Sequence, residues 1–109
     1  MCSSDLKNPD DRQTFLDLVA SADAMIENYR PGVLDRMGLG WEDLRKLNPR
    51  LVMASISGFG QTGPQSGRPG FGKIAEAMSG IVMLTGAPDQ VPTHIGFSLA
   101  DTSAGLMGA

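Results

Sequence analysis

The thirteen residues from Gly58 to Gly70 include five glycines and two prolines, and they follow directly on the apolar run Leu51-Val52-Met53-Ala54-Ser55-Ile56-Ser57. Glycine surrenders the most chain entropy when ordered and proline donates no backbone hydrogen bond, so this stretch cannot continue as helix or strand. It must be an extended loop at the C-terminal end of a strand. The same limit holds across the chain, where 14 glycines and 7 prolines among 109 residues keep every helix and strand short. Loops of this kind are where binding and catalytic residues concentrate. An apolar fraction of 41% with 19% charged residues is that of a globular chain with a core. The length allows one domain at most.

The flanking segments alternate between helix and strand signals. Asn8 is placed as an N-cap, with Pro9 at the first helical position and Asp10 and Asp11 facing the positive end of the dipole. Phe15, Leu16, Leu18 and Val19 recur at helical spacing, which predicts an amphipathic helix over Pro9 to Ala22. A short buried strand follows over Asp23 to Tyr29 and ends at Pro31-Gly32. One or two helical turns are expected over Val33 to Met37, and a second helix over Gly40 to Leu47, acidic at its start and basic at its end. The run Leu51 to Ser57 reads as a strand buried on both faces. Beyond the loop, a third helix is predicted over Ile74 to Leu84, a polar turn region over Thr85 to Val91, an extended segment over Pro92 to Leu99, and a fourth helix starting near Asp101. Helix, strand, helix, strand points to an α/β fold with a parallel sheet.

Several functions are disfavoured by charge and patterning. Nine basic residues against 12 acidic ones give a net charge of −3, and the scattered arginines lack the positive field that nucleic-acid binding requires. No apolar run approaches the roughly 18 residues of a membrane span, and no signal peptide pattern is present, so neither a membrane nor a nucleic-acid partner is expected and the default is a cytoplasmic protein. One cysteine, Cys2, and one distant histidine, His94, make no metal site. The chain stops within the small-residue stretch Ser103 to Ala109 without a C-cap or polar tail, and so reads as truncated. Cys2-Ser3-Ser4-Asp5-Leu6 is the peptide that a common sequencing-adapter string encodes in one frame. Residues 1–6 are therefore expected to be a non-native leader, which the coding DNA would test, and residues 7–109 a partial domain.

Four features could carry chemistry. The loop holds a literal G-x-G-x-x-G, Gly58 to Gly63, but prolines and glycines follow it where a dinucleotide site would open a helix, so these glycines read as flexible backbone near a ligand. Asp101 sits between an extended segment and small residues. It reads either as a helix cap or as a carboxylate nucleophile at a strand-to-helix turn, and one residue can be both. Asn28-Tyr29-Arg30-Pro31-Gly32 puts an amide, a ring and a guanidinium in one turn, and Arg36 and Arg68 are further cations that could meet phosphate; the alternative is a polar loop with solvated arginines. His94 has no partner pattern and reads as structural, while the seven methionines read mostly as core filler.

Six strings occur in order: Ile26-Glu27-Asn28-Tyr29-Arg30-Pro31-Gly32-Val33, Met37-Gly38-Leu39, Leu47-Asn48-Pro49-Arg50-Leu51-Val52, Ser55 to Pro64, Arg68-Pro69-Gly70-Phe71 and Ala77-Met78-Ser79-Gly80. Together they resemble the class III CoA-transferases, the family that includes formyl-CoA transferase, carnitine CoA-transferase and alpha-methylacyl-CoA racemase. The resemblance covers Leu6 to Ala109. It implies an internal fragment of a Rossmann-like, parallel-sheet large domain from a chain that, at full length, forms an interlocked homodimer. The implied activity is transfer of coenzyme A between an acyl-CoA and a carboxylic acid, with CoA as substrate and no permanently bound cofactor.

By the same resemblance the family's catalytic aspartate falls on Asp101, which would attack the thioester to give an aspartyl anhydride and then an aspartyl-CoA thioester. The CoA contacts fall on Asn28, Tyr29, Arg36 and Met37, with Arg68 near a phosphate. Two positions depart from the family pattern. The racemases have His followed by Asp where this chain has Phe71-Gly72, which removes one acid/base group and favours transfer over racemisation. Transferases usually carry an acidic residue where Gly72 stands. An acyl-CoA racemase or isomerase, and a non-catalytic CoA- or nucleotide-binding domain, remain the alternatives. The 109-residue chain alone is expected to be inactive, and turnover by it would refute that expectation.

Overall fold

The computed structural model describes residues 5–109; Cys2, with residues 1–4 of the expected leader, lies outside them. The chain divides into two compact units, one running through Glu27 and from Gly32 to Ala54, the other comprising Asn28–Pro31 and Ser55–Ala109.

The first unit holds helix α1 (Pro9–Ser21), strand β1 (Ala24–Glu27), helix α2 (Val33–Arg36), helix α3 (Trp41–Leu47) and strand β2 (Val52–Ser55), whose last residue belongs to the second unit. Helix α1 starts as its sequence predicts. The Asn8 side chain accepts the Asp10 N–H at 2.9 Å, Pro9 follows in the first turn, and Asp10 and Asp11 lie at the positive end. Its other end is closed from a distance, because buried Asn48 donates through Nδ2 to the carbonyls of Val19 at 3.0 Å and Ala22 at 2.8 Å. One residue thus satisfies carbonyls that the end of a helix leaves bare, and at the same time terminates α3. Arg12 performs a similar service for α2, donating to the carbonyls of Met37 and Gly38.

Val19, Leu34, Leu39, Leu44 and Leu51 form the buried core, with Leu6, Phe15, Leu16, Met25, Met37 and Met53 packed against it. Leu39 and Leu44 are fully enclosed, and burial of each contributes about 2 kcal/mol. The strands pair in one two-stranded parallel sheet, so the α/β reading holds. Each strand is four residues long, shorter than the expected 23–29 and 51–57. The expectation of a strand buried on both faces also fails, since Val52 is 65% and Ile26 73% exposed. Two strands and three short helices leave too few apolar faces to cover both sides of the sheet.

The second unit consists of the loop, helix α4 (Gly72–Met78), a 3-10 turn (Ile81–Leu84) and helix α5 (Leu99–Gly108), with α4 packed on α5. The single helix expected over 74–84 is two pieces, because Gly80 adopts φ 83° and ends the α-helical path there. Among the described residues this unit contributes no hydrophobic side chain to the buried core. Met78, Met83 and Met107 are exposed, which corrects the reading of most methionines as core filler.

Candidate active site

Helix α5 places Asp101. Its N-cap is Ser98, whose carbonyl accepts the Thr102 N–H at 3.0 Å and the Thr102 hydroxyl at 2.9 Å. Asp101 is therefore the third residue of the helix, not its cap. Its carboxylate is exposed and makes no hydrogen bond or ion pair among the described residues. Capping thus leaves this carboxylate unused.

Two cavities meet at Asp101. The smaller, about 350 Å³, is lined by Asn28, Ser57, Gly58, Gly70, Gly72 and Asp101 together with small or apolar side chains of β2's exit, α4 and α5. The larger, about 470 Å³, is lined by Lys73, Glu76, His94, Ser98 and Asp101 and by Phe71 and Phe97. The loop that makes the smaller cavity closes backbone against backbone. A Cβ on Gly58 would lie 2.5 Å from the carbonyl carbon of Gly70, so any side chain at Gly58 would prise the loop base open. The segment from Gly58 to Gly70 is a loop of turns and bends, and no helix opens directly after Gly63.

Gly72 is a second close approach. A Cβ there would stand 2.9 Å from Asp101 Oδ1 and 3.4 Å from its Cγ. In this chain the space a Cβ would fill at Gly72 is taken by the Asp101 carboxylate, which lies against the start of α4.

The other predicted positions divide between the units. Asn28 shares the smaller cavity with Asp101. Tyr29 is 47% exposed, and neither it nor Arg68 lines either cavity. Arg68 is held inside the loop, its guanidinium 5.4 Å from the Phe59 ring centroid and donating to Gln65 Oε1 at 3.0 Å. Arg36 and Met37 lie in the first unit, Arg36 exposed at the end of α2 and Met37 packed on the core.

Three participants went unread in the sequence. Glu76, only 5% exposed, accepts the Ala100 N–H through Oε1 at 3.4 Å and stands 3.2 Å from His94 Nδ1 through Oε2. His94, read as structural for want of a partner, thus has one and lines the larger cavity. Ser57 has a buried hydroxyl without a hydrogen-bond partner among the described residues. Only Glu76 left a trace in the sequence, as the lone carboxylate within the apolar stretch Ile74 to Met78.

Residues 2–109 match the family model of CoA-transferase family III. The chain belongs to this family. It is 53% identical over 102 residues to acetyl-CoA:oxalate CoA-transferase of Acetobacter aceti, covering 93% of this chain and 26% of that protein. It is 50% identical over 105 residues to succinyl-CoA--D-citramalate CoA-transferase of Chloroflexus aurantiacus, covering 96% of this chain and 26% of the relative. Among solved structures, a CAIB/BAIF family protein from Brucella suis superposes with a TM-score of 0.86 at 40% identity, over 95% of this chain and 30% of that one. The chain thus spans about a quarter of the length of the curated relatives it matches. The family III resemblance and the α/β fold class are both established by these matches.

Proposed function

We propose that this chain carries the nucleophile of a CoA-transferase that exchanges coenzyme A between an acyl-CoA and a carboxylic acid, and that Asp101 is that nucleophile. The observation that carries the reading is the Asp101 carboxylate itself, unused by the fold and common to two cavities. The Asp101 oxygen attacks the thioester carbonyl, the C–S bond breaks, and CoA leaves as thiolate, giving a mixed anhydride. The thiolate then attacks the aspartyl acyl carbon and expels the donor as carboxylate, leaving an aspartyl-CoA thioester. An acceptor carboxylate reverses both steps and restores Asp101. Covalent catalysis of this kind divides one difficult acyl transfer into several easier ones.

The smaller cavity, lined by glycines, small side chains and the apolar Ile56 and Phe71, suits the thin pantetheine arm of CoA, with Asn28 at its wall. Tyr29, Arg36 and Met37 complete the CoA contacts in this reading, and Arg68 meets a phosphate. The names of the relatives pair acyl-CoA donors with small carboxylic acids, and a substrate pair of that class is proposed here. The full-length enzyme is proposed to act as an interlocked homodimer, which its solution mass would check.

The test is to incubate the full-length enzyme with acyl-CoA and trap the intermediate with hydroxylamine or borohydride. The expected result is a modification on Asp101 and no turnover by Asp101→Ala. Absence of the adduct with CoA binding retained would instead support a non-catalytic binding domain. A racemase needs two proton-carrying groups. Phe71 supplies none, but His94 lines a cavity with Asp101, so exchange of the α-proton with deuterated water decides between the two chemistries. Transfer predicts no catalysed exchange.

A further inference from the structure

The buried carboxylate of Glu76 takes no part in the exchange just described, and its position in α4 explains why it is there. The first turn of a helix leaves N–H groups without intrahelical acceptors. In α5 the Leu99 N–H is taken by the Phe97 carbonyl at 3.0 Å and the Thr102 N–H by Ser98 at 3.0 Å. The Ser98 side chain makes no capping hydrogen bond. The Ala100 N–H, immediately before Asp101, is satisfied from another helix by Glu76 Oε1 at 3.4 Å. The second oxygen of the same carboxylate stands 3.2 Å from His94 Nδ1. A buried carboxylate costs stability unless it is paired and hydrogen-bonded, and here both oxygens are engaged. One of them ends on the backbone of the turn that presents Asp101, and the other on the segment leading into that turn.

We infer that Glu76, with His94 as its anchor, is a positioning residue that fixes the first turn of α5 and so holds the Asp101 carboxylate at the attacking distance. This rests on Asp101 being the nucleophile. Glu76 itself touches no reacting atom. Gly72 and Glu76 are one helical turn apart on α4, so the same helix that leaves room for the Asp101 side chain also holds its backbone. Misplacement of a reacting group by about 1 Å costs on the order of a hundred-fold in rate. Release of the Ala100 N–H should therefore show in the chemical step and not in affinity for CoA.

The experiment compares Glu76→Gln and Glu76→Met in the full-length enzyme. Glutamine keeps an oxygen that can accept the Ala100 N–H, whereas methionine keeps the volume and loses the acceptor. Expected for E76M are a kcat and a rate of Asp101 adduct formation per folded site lowered about ten-fold or more, with KM for acyl-CoA within about two-fold; E76Q should recover most of the loss. An E76M enzyme that forms the adduct at the wild-type rate per folded site, or an E76Q enzyme as slow as E76M, overturns the inference. Where E76M does not fold, Glu76→Asp withdraws the oxygen by one methylene and carries the same test: lowered kcat at unchanged KM supports the inference, and unchanged kcat overturns it. If the wild-type enzyme gives no adduct on Asp101, it is the nucleophile reading that fails. An adduct equally fast with and without Glu76 sinks the positioning role alone.

Discussion

Replacing Gly72 by alanine should make the full-length enzyme at least as stable and distinctly slower. The new methyl group would stand 2.9 Å from Asp101 Oδ1, 3.4 Å from Cγ and 3.5 Å from the Ala100 Cβ. Ordinary contacts between heavy atoms lie at about 3.5 Å, so the carboxylate must withdraw by about half an ångström. Because the obstructed atom is the free end of an exposed side chain, the fold loses little by that movement. The backbone at Gly72 lies outside the left-handed region, so alanine fits it without strain and restricts the unfolded chain, a gain of about 0.4–1 kcal/mol. Stability should thus rise or stay level. The moved atom is, however, the proposed nucleophile. If about 1 Å of misplacement costs on the order of a hundred-fold, half of that costs about ten-fold, or about 1.4 kcal/mol of transition-state stabilisation. The assay is kcat and KM for acyl-CoA together with a thermal melt of Gly72→Ala. Opposite movements of kcat and Tm are expected. Unchanged kcat would refute the reasoning, and so would a loss of kcat that merely follows a fall in Tm.

Two further outcomes follow from the same structure. Asn48→Ala strips two hydrogen bonds from the end of α1 and should lower unfolding stability by about 2 kcal/mol in a denaturant melt without altering kcat per folded site; a change below about 0.5 kcal/mol would show that water replaces the amide. Ser57→Ala removes a buried hydroxyl that has no partner among the described residues, so Tm should not fall, while kcat/KM should drop up to about ten-fold if that hydroxyl serves a ligand in the smaller cavity; an unchanged kcat/KM would leave Ser57 without a role there.

The first unit was the more legible in the sequence because its elements are specified locally. Asn8, Pro9 and the paired aspartates mark the start of α1 within one turn, and Glu42, Asp43, Arg45 and Lys46 orient α3 by the macrodipole. What escaped was set by tertiary partners. The strands were over-extended because an apolar run signals burial, whereas strand length depends on how many residues find a pairing neighbour. The expected third helix runs too far because the apolar pattern continues past Gly80, whose φ of 83° makes it the break. Periodicity cannot see contacts such as that of Asn48 with Val19 or of Glu76 with Ala100, since they join residues 29 and 24 positions apart.

At Asp101 the structure answers the cap reading, and the nucleophile reading remains the proposal. As a cap, the carboxylate would hold the free N–H groups at the start of α5 and would be consumed by the fold. In the structure Ser98 occupies the cap position and Glu76, from another helix, accepts the Ala100 N–H. The structural work of the turn has been moved to residues other than Asp101. A helix start that needed Asp101 for its own hydrogen bonds would lose them each time the carboxylate was converted to the proposed anhydride or thioester, and would loosen in the middle of a reaction cycle. A nucleophile that becomes covalently modified at every turnover, as proposed for Asp101, is best carried on a turn that does not depend on it, and in that reading Glu76 supplies the independence from the adjacent helix.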